Sequence, residues 1–318
     1  MELIRGQYNL KPRHRGCVAT IGNFDGVHLG HQCILQRLRE AGDRLGLPTL
    51  AMSFEPHPLE VFRPEEAPAR ITPLRDKACA LETAGVDRFL CLPFRPSLSG
   101  MAPETFIEDL LLRRLGVQFL IVGDDFRFGH RRAGDFATLE AASRVHGFEL
   151  ERTPTFEIDG ARASSTRVRE ALERGDLALA ERLLGHPYQL SGRVVNGDRI
   201  GRELGFPTAN IRLRRRPTMD AILVADIDIG DGAGPRPGIA SMGTRPTVNG
   251  TRALLEVYLL DFSGDLYGRH LTVTFRHWLR AQERYDSLDA LRAQIGRDVD
   301  DARAWYDTHG VRRSATDT

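Results

Sequence analysis

The segment from Cys17 to Leu45 narrows the possible folds more than any other. An apolar run, Cys17–Gly22 (CVATIG), leads into the glycine-spaced turn Gly22-Asn23-Phe24-Asp25-Gly26-Val27-His28-Leu29-Gly30-His31. The next residues, His31–Leu45, place Ile34, Leu35, Leu38, Ala41 and Leu45 on one helical stripe, and Gly46 and Pro48 stop it. Thr49–Phe54 reads as a second strand, Glu104–Leu115 as a helix and Val117–Val122 (VQFLIV) as a buried strand. Strand and helix in alternation predict a parallel sheet with helices on both faces. In such sheets ligands sit at the carboxyl ends of the strands.

The pattern changes near residue 165. Thr166–Arg174 reads as a short helix stopped at Gly175, and Asp176 caps a second one that ends at Gly185 and Pro187. Beyond it, 188–196, 222–229, 238–242, 253–260 and 271–275 read as short strands separated by turns such as Gly230–Gly234 and Asn249-Gly250. That predicts a small closed barrel, followed by a long helix over Ser287–Tyr306. The expected domains are residues 1–185, α/β and Rossmann-like, and residues 186–318, a β-barrel with a C-terminal helix.

The 318 residues carry 44 basic and 43 acidic side chains, a net charge of +1 that disfavours nucleic acid as a partner. Nothing resembles a signal peptide or a membrane span, and Cys17, Cys33, Cys79 and Cys91 form no C-x-x-C pair, so a cytoplasmic protein with reduced thiols is expected. Oligomeric state stays open, a homo-oligomer included. Lysine occurs only at positions 11 and 77, against 42 arginines, so a phosphate clamp is expected to use Arg, His, backbone N–H or metal.

Chemistry concentrates in the turn. His28 and His31, three apart, can face one ligand at a helix start whose free N–H groups and partial positive charge suit phosphate. Gly22, Gly26 and Gly30 permit close backbone approach. A zinc site is disfavoured, because no third ligand has matching spacing. Neither a Walker A loop nor G-x-G-x-x-G is present.

The turn resembles the HxGH signature of the nucleotidylyltransferase superfamily. In its longer form, G-x-F-D-G-x-H-x-G-H, it is similar to the FMN adenylyltransferase module of prokaryotic bifunctional riboflavin kinase/FAD synthetases. Further segments resemble that family in order. Phe54-Glu55-Pro56-His57-Pro58 matches a loop bordering the flavin, and Phe62 can stack on an isoalloxazine ring, although a Phe is more often core. Asp125, in Gly123–Gly129, stands where the family sets Asn or Asp against the nucleotide. Ser164-Ser165-Thr166-Arg167-Val168-Arg169 matches SSTxxR, implying that the hydroxyls and Arg169 grip the polyphosphate. By this resemblance His28, His31 and Arg169 stabilise the charge of adenylyl transfer with Mg²⁺, ATP and FMN being the substrates and FAD the product.

The second half resembles riboflavin kinase through Gly201-Arg202-Glu203-Leu204-Gly205-Phe206-Pro207-Thr208-Ala209-Asn210, which ends in the PTAN pattern. Thr208 and Asn210 offer hard oxygens suited to Mg²⁺ beside ATP phosphates. Glu256, mid-strand in LLEVYLL, is implied to be the base that deprotonates the riboflavin 5′-hydroxyl. Gly243–Thr247, Asp265–Gly268, Gln294, Ile295 and Asp298 also match. Two departures stand out: Ala221–Val224 replaces a Gly-Val-Tyr-Ala run, expected to remove an aromatic contact near the ligand, and Tyr258 replaces a common His. They leave two alternatives open: an adenylyltransferase whose barrel only binds flavin or supports the fold, and a non-catalytic flavin sensor.

Overall fold

The computed structural model describes residues 1–153, 155–197, 200–247 and 250–311, and the side chains of 200, 202, 245–247 and 250–252 lie outside the description. The Asn249-Gly250 turn, the side chain of Arg202 and those of Arg245 and Thr247 therefore fall outside it. By packing, the chain forms two compact units: residues 1–68 with 77–164, and residues 69–76 with those from 165 onward.

The first unit is built on six strands, β1 (Glu2–Arg5), β2 (Cys17–Ile21), β3 (Thr49–Glu55), β4 (Arg88–Pro93), β5 (Val117–Gly123) and β6 (Glu149–Thr153). Their order is β1-β4-β3-β2-β5-β6, all parallel. β2 is central and buried along its whole length, which is why it reads as an unbroken apolar run rather than an alternating one. Helix α1 (Leu29–Leu45) comes next and buries Leu35 and Leu38 completely, each worth ~1.5–3 kcal/mol. Gly46, at φ 64°, closes α1 in the left-handed conformation. Helices α2 (Pro58–Phe62) and α3 (Leu74–Thr83) lie between β3 and β4, and a π-helix (Phe106–Arg114) precedes β5. Helix α4 (Phe136–His146), capped by Asp135, leads into β6, and a hairpin of β7 (Glu157–Ile158) and β8 (Ala161–Arg162) comes after it.

Helices α5 (Ser165–Glu173) and α6 (Leu177–Leu184) open the continuous part of the second unit. The sequence partition at 185/186 separates them from the barrel, whereas packing groups them with it. Gly175 between them leaves room for the ring of Trp278, which an added Cβ would meet at 2.7 Å. The barrel is closed by six strands, one more than expected: β9 (Gln189–Val195), β10 (Ala209–Arg212), β11 (Ala221–Asp228), β12 (Arg236–Thr247), β13 (Gly250–Leu259) and β14 (His270–Ala281), in the order β10-β13-β12-β11-β14-β9. A short helix, α7 (Ile200–Glu203), precedes β10. The terminal helix α8 (Leu288–His309), capped by Ser287, packs Val299 and Ala302 against Val224, Ile239 and Leu260. A buried Asp226–Arg276 ion pair at 2.7 Å and the Tyr306 hydroxyl, 3.0 Å from Asp226, tie α8 to the barrel wall.

Candidate active sites

In the first unit, α1 begins at Leu29, two residues before the expected start, so His28 is the helix N-cap. Its carbonyl accepts from the N–H of His31 at 2.7 Å and of Gln32 at 3.0 Å. The His28 and His31 rings stack at 3.7 Å, and Phe24 tilts against His31 at 5.2 Å. Asp25 and His28 are buried, Asn23 is exposed, and the Asn23 carbonyl accepts from the Ser53 hydroxyl at 3.2 Å. The turn is strained: Phe24 has φ 48° and Val27 φ 40°, with Gly26 at 85° between them. A β-branched residue rarely enters that region, and such strain clusters at ligand-binding loops. Gly30 is needed for close approach, since a Cβ there would lie 3.0 Å from the Ala163 carbonyl and 3.2 Å from the His28 ring. Burial first, and then the charges of His28, Lys77 and Arg162, hold the His31 imidazole well below its usual range.

Phe54, Pro56 and Pro58 sit at the carboxyl end of β3 and the start of α2. Phe62 is 60% exposed, so core is not its place; it packs edge-on against Phe94 at 5.5 Å, as Phe54 does at 5.7 Å. Asp125, just beyond β5, is exposed and pairs with Arg162 at 3.1 Å; Arg162 also reaches Asp124 at 3.3 Å. The SSTRVR segment straddles the division between units: Ser164 ends the first, while Ser165 and Thr166 open α5. Within the second unit, Arg169 Nε donates to the Ala69 carbonyl at 2.7 Å.

The second site is set by strand register. Asn210 on β10 lies opposite Glu256 on β13, Glu256 opposite Ser241 on β12, Ser241 opposite Ile222 on β11, and Ile222 opposite Arg280 on β14. Residues directly opposed across strands share a face, so this row forms one wall. It faces a cavity of about 550 Å³ between the barrel, the Gly201–Thr208 loop and α8. Gly201, Phe206 and Thr208 also line it, whereas Gly205 and Pro207 are exposed positions of the same loop. Gly201 has no room for a side chain, because a Cβ would meet the Phe206 carbonyl at 2.5 Å. Tyr258 lines the cavity and meets Phe206 edge-on at 5.7 Å. Arg280 donates to both oxygens of Asp298 at 2.8 and 2.7 Å, bracing the wall to α8. Asn210 is buried, and Thr208, Asn210 and Glu256 bring a hydroxyl, an amide and a carboxylate to this cavity. That donor set fits a magnesium ion.

One expectation is corrected. Leu223 does not leave an aromatic gap at the ligand wall, because alternation turns it, fully buried, to the face opposite the cavity; of the Ala221–Val224 run only Ile222 lines the cavity. Sequence reasoning missed Arg280, Ser241 and Lys77. The first two are visible only through register. The third had a signal, as one of two lysines in the chain.

Residues 10–167 match the FAD synthetase family and residues 184–306 the riboflavin kinase family. Over 307 residues the chain is 52% identical to the bifunctional riboflavin kinase/FMN adenylyltransferase of Escherichia coli K12, covering 96% of this chain and 98% of that protein. The chain belongs to the bifunctional riboflavin kinase/FMN adenylyltransferase family. The Haemophilus influenzae member of this family is 46% identical over 309 residues, covering 97% of this chain and 100% of its own. A solved structure from Streptococcus pneumoniae, named as a macrolide-efflux protein, superposes with a TM-score of 0.75 at 26% identity, covering 96% of this chain and 100% of that one. Among the described residues no helix of this family member is long and apolar enough to cross a membrane.

Proposed function

We propose that the chain phosphorylates riboflavin to FMN with ATP at the barrel cavity, and adenylates FMN to FAD with a second ATP at the Gly22–His31 turn. The observation that carries a two-reaction reading is that a strained, His-bearing helix start and a carboxylate–amide row occupy different compact units of one chain. The functional division assigned is 1–185 and 186–318.

The two reactions place different demands on the protein. An alcohol is a poor nucleophile at neutral pH, so Glu256 takes the proton of the riboflavin 5′-hydroxyl as its oxygen attacks the γ-phosphorus and ADP leaves. Thr208 and Asn210 would hold Mg²⁺, which offsets phosphate charge when bound. Tyr258 and Phe206 offer the apolar wall that a flavin ring needs. The FMN phosphate is already ionised, so its attack on the α-phosphorus needs no strong base; orientation and charge neutralisation suffice. His28, His31 and the N–H groups at the start of α1 meet the polyphosphate, and pyrophosphate leaves. Ser164, Ser165, Thr166 and Arg169 are assigned to polyphosphate on the strength of their motif. Phe54, Phe62 and Phe94 are assigned to the flavin, and Asp125 to the nucleotide. A cytoplasmic location belongs to the same proposal.

Two substitutions test the division of labour. His28→Ala lowers FAD formation from FMN by ~10²–10³-fold and leaves FMN formation unchanged. Glu256→Gln lowers FMN formation by ~10²–10⁴-fold and leaves FMN-to-FAD conversion unchanged. One folded variant that loses both reactions contradicts the assignment.

A further inference from the structure

Thr208 and Asn210, the two residues assigned to the metal, each lie directly against the backbone of a glycine. At Gly197 an added Cβ would meet three amide atoms of Asn210, Nδ2 at 2.5 Å, Cγ at 2.6 Å and Oδ1 at 2.8 Å. Three nearly equal distances mean that the amide turns its flat face to Gly197. Gly201 stands the same way to Thr208, whose Oγ1 would lie 3.3 Å from an added Cβ. Neither glycine adopts the left-handed backbone that favours this residue, so it is the neighbour and not the turn that excludes a side chain. The backbone of Asn210 cannot yield, because β10 pairs on both sides there, with Val195 of β9 and Glu256 of β13. The residue is buried, only 7% exposed. The Thr208 carbonyl lies 3.5 Å from Nδ2, and a carbonyl accepts only from the N–H side of an amide. Oδ1 is therefore the atom left for a cation.

We propose that Gly197 is a specificity-determining residue for riboflavin phosphorylation: its bare Cα backs the Asn210 amide, holds Oδ1 in one place and so favours Mg²⁺ over the larger Ca²⁺. This rests on reading the Thr208–Asn210 face as the metal site of that reaction. Mg²⁺ takes oxygen ligands at about 2.0–2.1 Å in a nearly ideal octahedron, whereas Ca²⁺ takes them at about 2.3–2.6 Å with loose geometry. Discrimination between the two therefore depends on how rigidly the protein holds its oxygens. Contact on the amide face blocks rotation of that plane toward Gly197, the motion by which an asparagine adapts its oxygen to a different cation. A methyl group at 197 displaces the amide, since three of its atoms lie well inside contact distance. Oδ1 moves with it, which a strict octahedron tolerates less than a loose shell does.

The test measures cation binding without turnover, on the full chain with ADP. Free Mn²⁺ is read by electron paramagnetic resonance as Mg²⁺ or Ca²⁺ displaces bound Mn²⁺. Asn210→Ala treated identically gives the binding that does not pass through this site. Wild-type protein binds Mg²⁺ more tightly than Ca²⁺ here. Gly197→Ala weakens Mg²⁺ by ~10–100-fold, the usual cost of disturbing a ligand's support, and changes Ca²⁺ by less than about threefold. Wild type without that preference, or folded Gly197→Ala with unchanged Mg²⁺ affinity or an equal loss of both cations, overturns the proposal; a merely structural glycine gives one of the last two results. If Gly197→Ala does not fold, a serine background decides. Asn210→Ser keeps an oxygen but gives up the brace, so it loses the preference for Mg²⁺. Adding Gly197→Ala to it leaves both affinities within about twofold, because no amide remains to be displaced. A preference that survives in Asn210→Ser, or a larger change on adding Gly197→Ala, overturns the proposal. Asn210→Ala that binds both cations as wild type does would instead refute the reading of the metal site.

Discussion

On the proposed assignment, single residues carry the chemistry through where strand register and helix starts aim them. Glu256 shows this: its neighbours Leu255 and Val257 fill the barrel interior, while it faces the cavity with Asn210 and Ser241 on either side. Its place on the cavity face was legible because it interrupts an apolar run. Arg280 was not legible, since one arginine among 42 carries no signal until β14 is known to pair with β11. Its pairing with Asp298 gives it a measurable role. Arg280→Met leaves Asp298 buried without its cation, which costs about 3–5 kcal/mol in denaturant unfolding and raises the riboflavin KM. An unchanged unfolding midpoint would show that the pair does not brace the wall. A lone Phe reads as core by default, but Phe62 sits at the end of a five-residue helix that buries none of its side chains. The face Leu223 takes depends on the phase of β11, which is shifted by an irregularity against β14 beside it, and composition does not reveal such a shift.

Among the elements, contiguous patterns were readable and short or bent ones were not. The run from β2 through α1 is visible as an apolar strand, a glycine-spaced turn and an amphipathic stripe. β10 is four residues long and begins inside the PTAN pattern, so its strand character was hidden beneath a motif that otherwise reads as a turn. β1, β4 and β6 lacked distinctive boundaries, and their places come from pairing. Two glycines test the elements that shape the sites. Gly30→Ala crowds the Ala163 carbonyl and the His28 ring, so it lowers FAD formation by ~10-fold or more while riboflavin phosphorylation persists. Gly201→Ala drives a Cβ toward the Phe206 carbonyl and has the opposite pattern, loss of phosphorylation with adenylyl transfer retained. Steady-state assays with each flavin check both, and a Gly30→Ala protein with normal FAD formation would refute the close-approach argument.

Over the chain as a whole, the change from alternating strand and helix to short strands announces two folds in one protein. The grouping of residues 69–76 with the second unit was not legible, because it depends on Asp76 accepting from Ser191 and on the Tyr188 hydroxyl donating to the Ile71 carbonyl at 2.9 Å. Stability should also carry a pH signature. His31 binds a proton less readily folded than unfolded, so its contribution is complete above the unfolded imidazole range near pH ~6.5 and is lost as pH falls below it. Chemical denaturation between about pH 8 and pH 5 therefore shows falling stability that His31→Gln flattens; equal slopes in the two proteins would contradict a buried neutral imidazole. The decisive measurement is chromatography of products from purified protein with ATP and Mg²⁺, one reaction given riboflavin and the other FMN. Two working sites predict FMN and then FAD in the first reaction and FAD in the second. FAD from FMN alone, with riboflavin unchanged, would contradict a catalytic role for the Asn210–Glu256 wall.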